Sequence, residues 1–188
     1  MRRELVARLL ARRGDALVVP GLGSSAWDVA AAGDHPLNFY TWGAMGGAAM
    51  IGLGLAIAQP ERRVLVVTGD GEMLMGLGGL ATIAVQRPTN LGILVLDNEH
   101  YGETGRQKTH THHGVDIAGM AAAAGFADTM RVDAGDDADA ALDLVLDAPG
   151  PVIACVKVAM SDDPLVLPER DGPRLKDRFR QALLGAVA

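Results

Sequence analysis

Val64-Leu-Val-Val-Thr-Gly-Asp-Gly-Glu72 is the stretch on which the fold reading turns. Four apolar residues and a threonine in an unbroken run suit a strand buried on both faces, and Gly69-Asp70-Gly71 supplies a tight turn into a following helix. Outward from it, further short apolar runs predict strands at Ala16–Val19, Leu37–Tyr40, Leu91–Leu96, Thr129–Val132 and Val152–Val158. Between them, helical periodicity predicts helices at Ser24–Ala32, Ala44–Ala58, Glu72–Gln86, Asp116–Ala124 and Asp136–Leu146. Strand–helix alternation with short connections implies an α/β fold. We expect a doubly wound, mostly parallel sheet of about six strands with helices on both faces. Residues 1–188 are expected to form one domain, with 161–188 a tail ending in a helix over Arg174–Val187. The first residues, with Leu5, Val6, Leu9 and Leu10 on one face, predict a further helix ended by Gly14.

Composition narrows the function classes. The 188 residues are 49% hydrophobic and 21% charged, a globular balance. The formal charge of −6 gives no electrostatic case for nucleic acid as a partner. One cysteine excludes an internal disulfide and fits a reducing, cytoplasmic setting. Charges at Glu4 and Arg8 interrupt the apolar run a secretory signal needs. Ala44 to Ala58 is apolar but glycine-rich and short of the roughly 20 residues of a membrane span.

Ligands of open parallel sheets bind beyond the carboxyl ends of the strands, here Pro20–Ser25, Thr41–Gly46, Gly69–Glu72 and Asp97–Thr104. Read alone, Gly69-Asp70-Gly71 is a tight turn whose aspartate caps a helix. Asn98 ends the next strand 28 positions after Asp70, which brings both side chains to one crevice. An aspartate and an asparagine are hard oxygen ligands, suited to magnesium or calcium and not to zinc.

The stretch GDGEMLMGLGGLATIAVQRPTNLGILVLDNEHYGETG (69–105) resembles the diphosphate-binding domain of thiamine diphosphate-dependent enzymes. Within that family it is most like the sulfopyruvate and phosphonopyruvate decarboxylases. The resemblance runs over roughly residues 15 to 160. It implies that Asp70, the Asn98 side chain and the His100 backbone carbonyl ligate Mg²⁺, diphosphate oxygens and a water completing the octahedron. Gly69, Gly71, Glu72 and Tyr101 would also line the cofactor, with backbone N–H groups of Gly71 and Glu72 on the diphosphate. Asp97-Asn98 stands where many relatives have Asn-Asn, but the second position is the expected ligand. Trp42-Gly43-Ala44-Met45-Gly46 is similar to the family's stretch beneath the bent cofactor. There the Gly43 carbonyl would accept from the 4′-amino group and Met45 would wedge the two rings apart. Taken alone, Met45 reads as core filler.

Gly21-Leu-Gly23-Ser24-Ser25-Ala26 can be read as a dinucleotide fingerprint, although that reading wants an acid where the chain has Tyr40-Thr41-Trp42. The resemblance instead sets Gly23, Ser24 and Ser25 on the far side of the diphosphate. His110-Thr-His112-His113 reads as a surface loop, as a transition-metal site that would still need a carboxylate or cysteine from elsewhere, or as the end of a lid formed by Gly102–Thr111 over the reacting carbon of the cofactor, in which Glu103, Thr104, Lys108, His110 or His112 meets an anionic substrate. Cys155 reads as inert core.

The resemblance implies that thiamine diphosphate, held through Mg²⁺, would supply the electron sink for loss of carbon dioxide from a 2-oxo acid. The family's activating glutamate belongs to a pyrimidine-binding domain for which 188 residues leave no room. The resemblance therefore implies a β-type subunit that works with a separate pyrimidine-binding α subunit, as α2β2 or larger. A thiamine-dependent carboligase subunit, an NAD(P)-dependent oxidoreductase and a non-catalytic phosphate-binding module are the alternatives.

Overall fold

The structure is a computed structural model and describes residues 2–185. Helix α1 (Arg2–Ala11) precedes β1 (Leu17–Pro20), α2 (Ser24–Ala31), α3 (Ala48–Ala58), β2 (Val64–Gly69), α4 (Asp70–Met75), α5 (Gly79–Gln86) and β3 (Leu91–Asp97). A small hairpin, β4 (His100–Tyr101) and β5 (Gln107–Lys108), and a 3₁₀ turn at His110–His113 lead to α6 (Ile117–Ala124). The chain then runs through β6 (Asp128–Val132), α7 (Asp139–Asp147), β7 (Val152–Lys157) and α8 (Gly172–Leu184). The main sheet is parallel throughout, in the order β1-β2-β3-β7-β6.

Alternation along each strand divides the core. Val64 and Val66 face a layer formed with α3, α5 and α6, whereas Leu65 and Val67 face α1, α2 and α7. Helix α8 straddles the two, Phe179 entering the first layer and Leu175 the second. The unbroken apolar run at 64–67 follows from burial on both sides. None of the described helices is long and apolar enough to cross a membrane.

Several elements depart from the sequence expectation: α3 begins at Ala48 and not at Ala44, and α7 at Asp139 and not at Asp136. The sheet has five strands, because Leu37–Tyr40 pairs with β1 only through an isolated bridge between Asn38 and Val18. The ladder stops because the Leu37 N–H is taken by His35 Nδ1 at 3.1 Å and Pro20 of β1 has no N–H to give Phe39, and the buried Asn38 side chain is engaged by Arg13 and Tyr40. The single helix expected over Glu72–Gln86 is broken at Gly76–Gly78, where the Gly46 backbone lies so close that a Cβ on Gly76 would collide with its carbonyl. The C-terminal helix begins at Gly172, and the expected end at Val187 lies outside the described residues.

Close backbone approach also sets one stability prediction. A Cβ on Gly92, in the middle of β3, would drive into the Val145 carbonyl of α7. It would also meet Arg63, whose guanidinium donates to the carbonyls of Val145 (2.9 Å) and Ala148 (2.8 Å) at the end of that helix. Gly92→Ala is expected to destabilise the chain by about 2–3 kcal/mol through overpacking. Gly54→Ala, in the interior of α3 with open space at its Cβ, is expected to gain about 0.5–1 kcal/mol. Urea midpoints of the two variants moving the same way would contradict this.

Candidate functional site

Strand β2 ends at Gly69 opposite Leu96 of β3, so the residues that follow each strand emerge side by side. Asp70 opens α4 and Asn98 follows β3, and both line one cleft of about 380 Å³ at the carboxyl ends of the strands. Asp70 is 1% exposed. Its Oδ2 accepts from the hydroxyls of Thr109 (2.5 Å) and Thr111 (3.2 Å), and the Thr111 hydroxyl also donates to Asp97 Oδ1 at 2.8 Å. Burial raises the Asp70 pKa and the nearby Asp97 charge adds to the rise, while the two threonines oppose it. The Asn98 side-chain oxygen accepts from the His100 N–H at 2.9 Å, a short turn that holds its amide at the strand end.

Around this pair the turn after β1 brings Ser24 and Ser25, the approach to α3 brings Met45, and the hairpin brings Tyr101, Glu103 and Thr104 to the same lining. The Tyr101 ring lies over Gly71, where a side chain could not fit. The buried Ser25 hydroxyl and Glu72 Oε1 have no hydrogen-bond partner. Unpaired buried polar atoms are costly, and these two belong to residues of the cleft wall. Burial raises the Glu72 and Glu103 pKa values.

The charges decide what the cleft accepts. Five carboxylates line it (Asp70, Glu72, Glu103, Asp162 and Asp163) against two guanidiniums, Arg2 and Arg106. Arg2 is already paired with Asp28 and Arg106 with Asp162, each at 2.5 Å. An anionic ligand entering alone meets net repulsion, whereas one that arrives with a divalent cation does not. The residues present therefore fit a metal-bridged diphosphate.

Most of the expected site residues meet here. Ser24, Ser25, Met45, Gly69, Asp70, Gly71, Glu72, Asn98, His100, Tyr101, Glu103 and Thr104 all line the cleft. Gly23 stands just behind it, so close to the Glu103 carboxylate that a Cβ would collide. Gly43, at φ 73°, is exposed and off the lining, with Met45 two residues on reaching it. His110 and His112 do not join. His110 is exposed, and His112 points to Glu99 (3.2 Å) in a second cavity of about 240 Å³, which Lys157 and Cys155 also line. There Lys157 binds Asp97 (2.9 Å) and Glu99 (2.5 Å), and that pairing, with His112, lowers the Glu99 pKa. Among the described residues no three of His, Cys, Asp and Glu gather as a metal cage. Unanticipated lining residues are Arg2, Trp27, Arg106 and the segment from Met160 to Leu165.

A profile described as thiamine pyrophosphate enzyme, C-terminal TPP binding domain, matches residues 21–156. The chain belongs to this thiamine pyrophosphate enzyme family. The sulfopyruvate decarboxylase subunit beta of Methanothermobacter thermautotrophicus is 39% identical over 186 residues, covering 99% of this chain and 97% of that one. Phosphonopyruvate decarboxylase of Streptomyces viridochromogenes is 39% identical over 167 residues, 88% of this chain but 42% of that longer one. In fold, the chain superimposes on the thiamine diphosphate-dependent 4-hydroxybenzoylformate decarboxylase of Rhodococcus jostii RHA1 with a TM-score of 0.68 at 19% identity, covering 86% of this chain and 33% of that one. As a thiamine pyrophosphate enzyme domain, the chain carries its Gly-Asp-Gly turn and Asn98 within the matched span.

Proposed function

We propose that this chain is the β-type subunit of a heteromeric, Mg²⁺-dependent thiamine diphosphate enzyme that decarboxylates a small anionic 2-oxo acid of the sulfopyruvate or phosphonopyruvate kind. The observation that carries the reading is the convergence of Asp70 and Asn98 on one acid-rich cleft. Near end-to-end similarity to a protein named as a β subunit supports both the substrate class and the need for a second polypeptide.

In this reading Asp70, the Asn98 side chain and the His100 carbonyl hold Mg²⁺, while Ser24, Ser25 and the amides of Gly71 and Glu72 hold the diphosphate. When bound, the cofactor supplies the electron sink for loss of carbon dioxide. The chain's own work is then position and electrostatics. Thr109 and Thr111 keep the Asp70 carboxylate oriented. Met45, on the cleft lining, would pack against the cofactor's rings, and the Gly43 carbonyl would accept from its 4′-amino group. Glu103 and Thr104, on the hairpin over the cleft, are the residues assigned to the substrate side. The glutamate that activates the aminopyrimidine is assigned to a separate α subunit, in an α2β2 or larger cytoplasmic assembly. All the described strands but the small β4–β5 hairpin join one sheet, which supports reading 1–188 as one cofactor-binding domain whose residues 161–188 form its tail and helix.

Two measurements test this. Calorimetry of the full chain should give thiamine diphosphate binding only with Mg²⁺; binding of NAD indifferent to metal would overturn the reading. With the α subunit added, sulfopyruvate or phosphonopyruvate should release carbon dioxide and an aldehyde. A condensed acyloin product instead would move the chain to the carboligases, and turnover by the chain alone would remove the heteromer.

A further inference from the structure

The Glu72 side chain has a role that its backbone position after Gly-Asp-Gly does not account for. It leaves the first turn of α4, only 4% exposed, and runs beneath the cleft. Its Oε2 accepts from the Leu22 N–H, in the turn after β1, at 2.9 Å and from the Thr68 hydroxyl, near the end of β2, at 2.9 Å. The fit is close enough that a Cβ on Gly21 would collide with this oxygen.

The other side of the carboxylate faces a third element. Helix α3 has no acidic residue in its first turn and no side-chain cap, so its leading N–H groups find no acceptor within their own segment. The amides of Gly46 and Ala48 lie on this side and help to lower the Glu72 pKa against its burial, while the Oε1 atom itself has no hydrogen-bond partner in the free chain. A carboxylate at a helix N-terminus is stabilising, and here the anion is lent by another helix. Met45 lies in the loop that this contact holds.

We propose that Glu72 is a positioning residue: its side chain ties the β1–α2 turn to the end of β2 and caps the start of α3 across the fold. It thereby sets where Ser24, Ser25 and Met45 stand relative to Asp70. The inference rests on the cofactor reading above only for what the cleft holds; the tie itself is present in the free chain.

Amide exchange of the full-length chain tests the tie, and affinity for inorganic pyrophosphate with Mg²⁺ tests its consequence. In Glu72→Ala, protection at Leu22, Gly46 and Ala48 should fall about tenfold or more while amides of α6 and α7 keep theirs. Affinity for Mg²⁺–pyrophosphate should fall by at least about tenfold. Glu72→Gln discriminates further, and decides alone if the alanine variant does not fold. Its amide oxygen still accepts from Leu22 and Thr68, but its NH₂ meets the donors of Gly46 and Ala48, so protection should fall at those two and persist at Leu22. Wild-type protection at all three amides in the variants, or unchanged Mg²⁺–pyrophosphate affinity, would overturn the proposal. If the unsubstituted chain binds neither pyrophosphate nor thiamine diphosphate, the cofactor reading fails, and the exchange pattern still decides whether Glu72 holds these loops together.

Discussion

Asp70→Asn should remove Mg²⁺-dependent thiamine diphosphate binding, weakening it by about 100-fold or more, while leaving the free chain at least as stable as before. The two halves of that expectation have one cause. Among the described residues no cation pairs with the Asp70 carboxylate, and its neighbours are two threonine hydroxyls and the Asp97 carboxylate. A buried charge without a counter-charge costs stability, and a divalent cation offsets that cost only when it binds. Asparagine keeps an oxygen to accept from Thr109 and Thr111 and drops the charge, so the free fold loses nothing. A carboxylate ligand to Mg²⁺ is lost, and with it the neutralisation of the diphosphate. In thermal melts, ligand and metal at about 100 times the dissociation constant should stabilise the unsubstituted chain by about 2.7 kcal/mol, or roughly 5–10 °C for a domain of this size. The variant should show no such rise. A variant that melts well below the parent without ligand, yet still responds to Mg²⁺ and cofactor, would make Asp70 a structural residue and empty the proposed metal site.

That site could be read from sequence because its parts obey local rules. An unbroken apolar run before Gly69-Asp70-Gly71 marks a buried strand feeding a helix, and one helix plus one strand separates it from Asn98. In the structure that interval holds two short helices, α4 and α5, but the strand ends still meet, because parallel pairing of β2 with β3 fixes where each one stops. The break at Gly76–Gly78 had a signal in the glycines themselves; what was missing was the backbone that presses on them, Gly46 from a distant loop. Leu37–Tyr40 has the apolar character of a strand, yet pairing needs a ladder of free amides as well as hydrophobicity, and here the Leu37 amide turns to His35 while Pro20 of β1 has none to give. Thr109 and Thr111 carry no motif, since a hydroxyl becomes a carboxylate's keeper only once the hairpin returns it to Asp70. The histidines attracted notice by their density, but the 3₁₀ turn aims His112 at Glu99, away from the cleft. Arg2 and the 160–165 segment reach the cleft through contacts distant in sequence, Arg2 to Asp28, Arg106 to Asp162 and Arg3 to Pro164.

Those long-range contacts have a centre, and Asp28→Ala is expected to be the most damaging single change to the fold. Asp28 lies on α2 with no exposed surface and takes Arg2 at 2.5 Å on one carboxylate oxygen and Arg3 at 3.0 Å on the other. Arg3 also donates to the Pro164 carbonyl at 2.9 Å, so one acid ties α1 and, through Arg3, the 160–165 segment to α2. Arg3 is partly exposed and can turn to water if the acid is removed, but Arg2 is 6% exposed and cannot without leaving its place beside the cleft. Removing one member of a buried pair strands the other charge, and the expected cost is about 3–5 kcal/mol. For a chain of this length that lowers the melting temperature by on the order of 10 °C. The same argument predicts that removing both charges does less harm than removing one. The double variant Arg2→Met with Asp28→Leu fills the space without a charge and should recover most of the loss, because the penalty comes from the unpaired guanidinium and the pair itself adds little net stability. A double variant at least as unstable as Asp28→Ala would mean that the geometry of the ion pair, which also sets the cleft wall at Arg2 and the hold on Pro164, is what the fold depends on there.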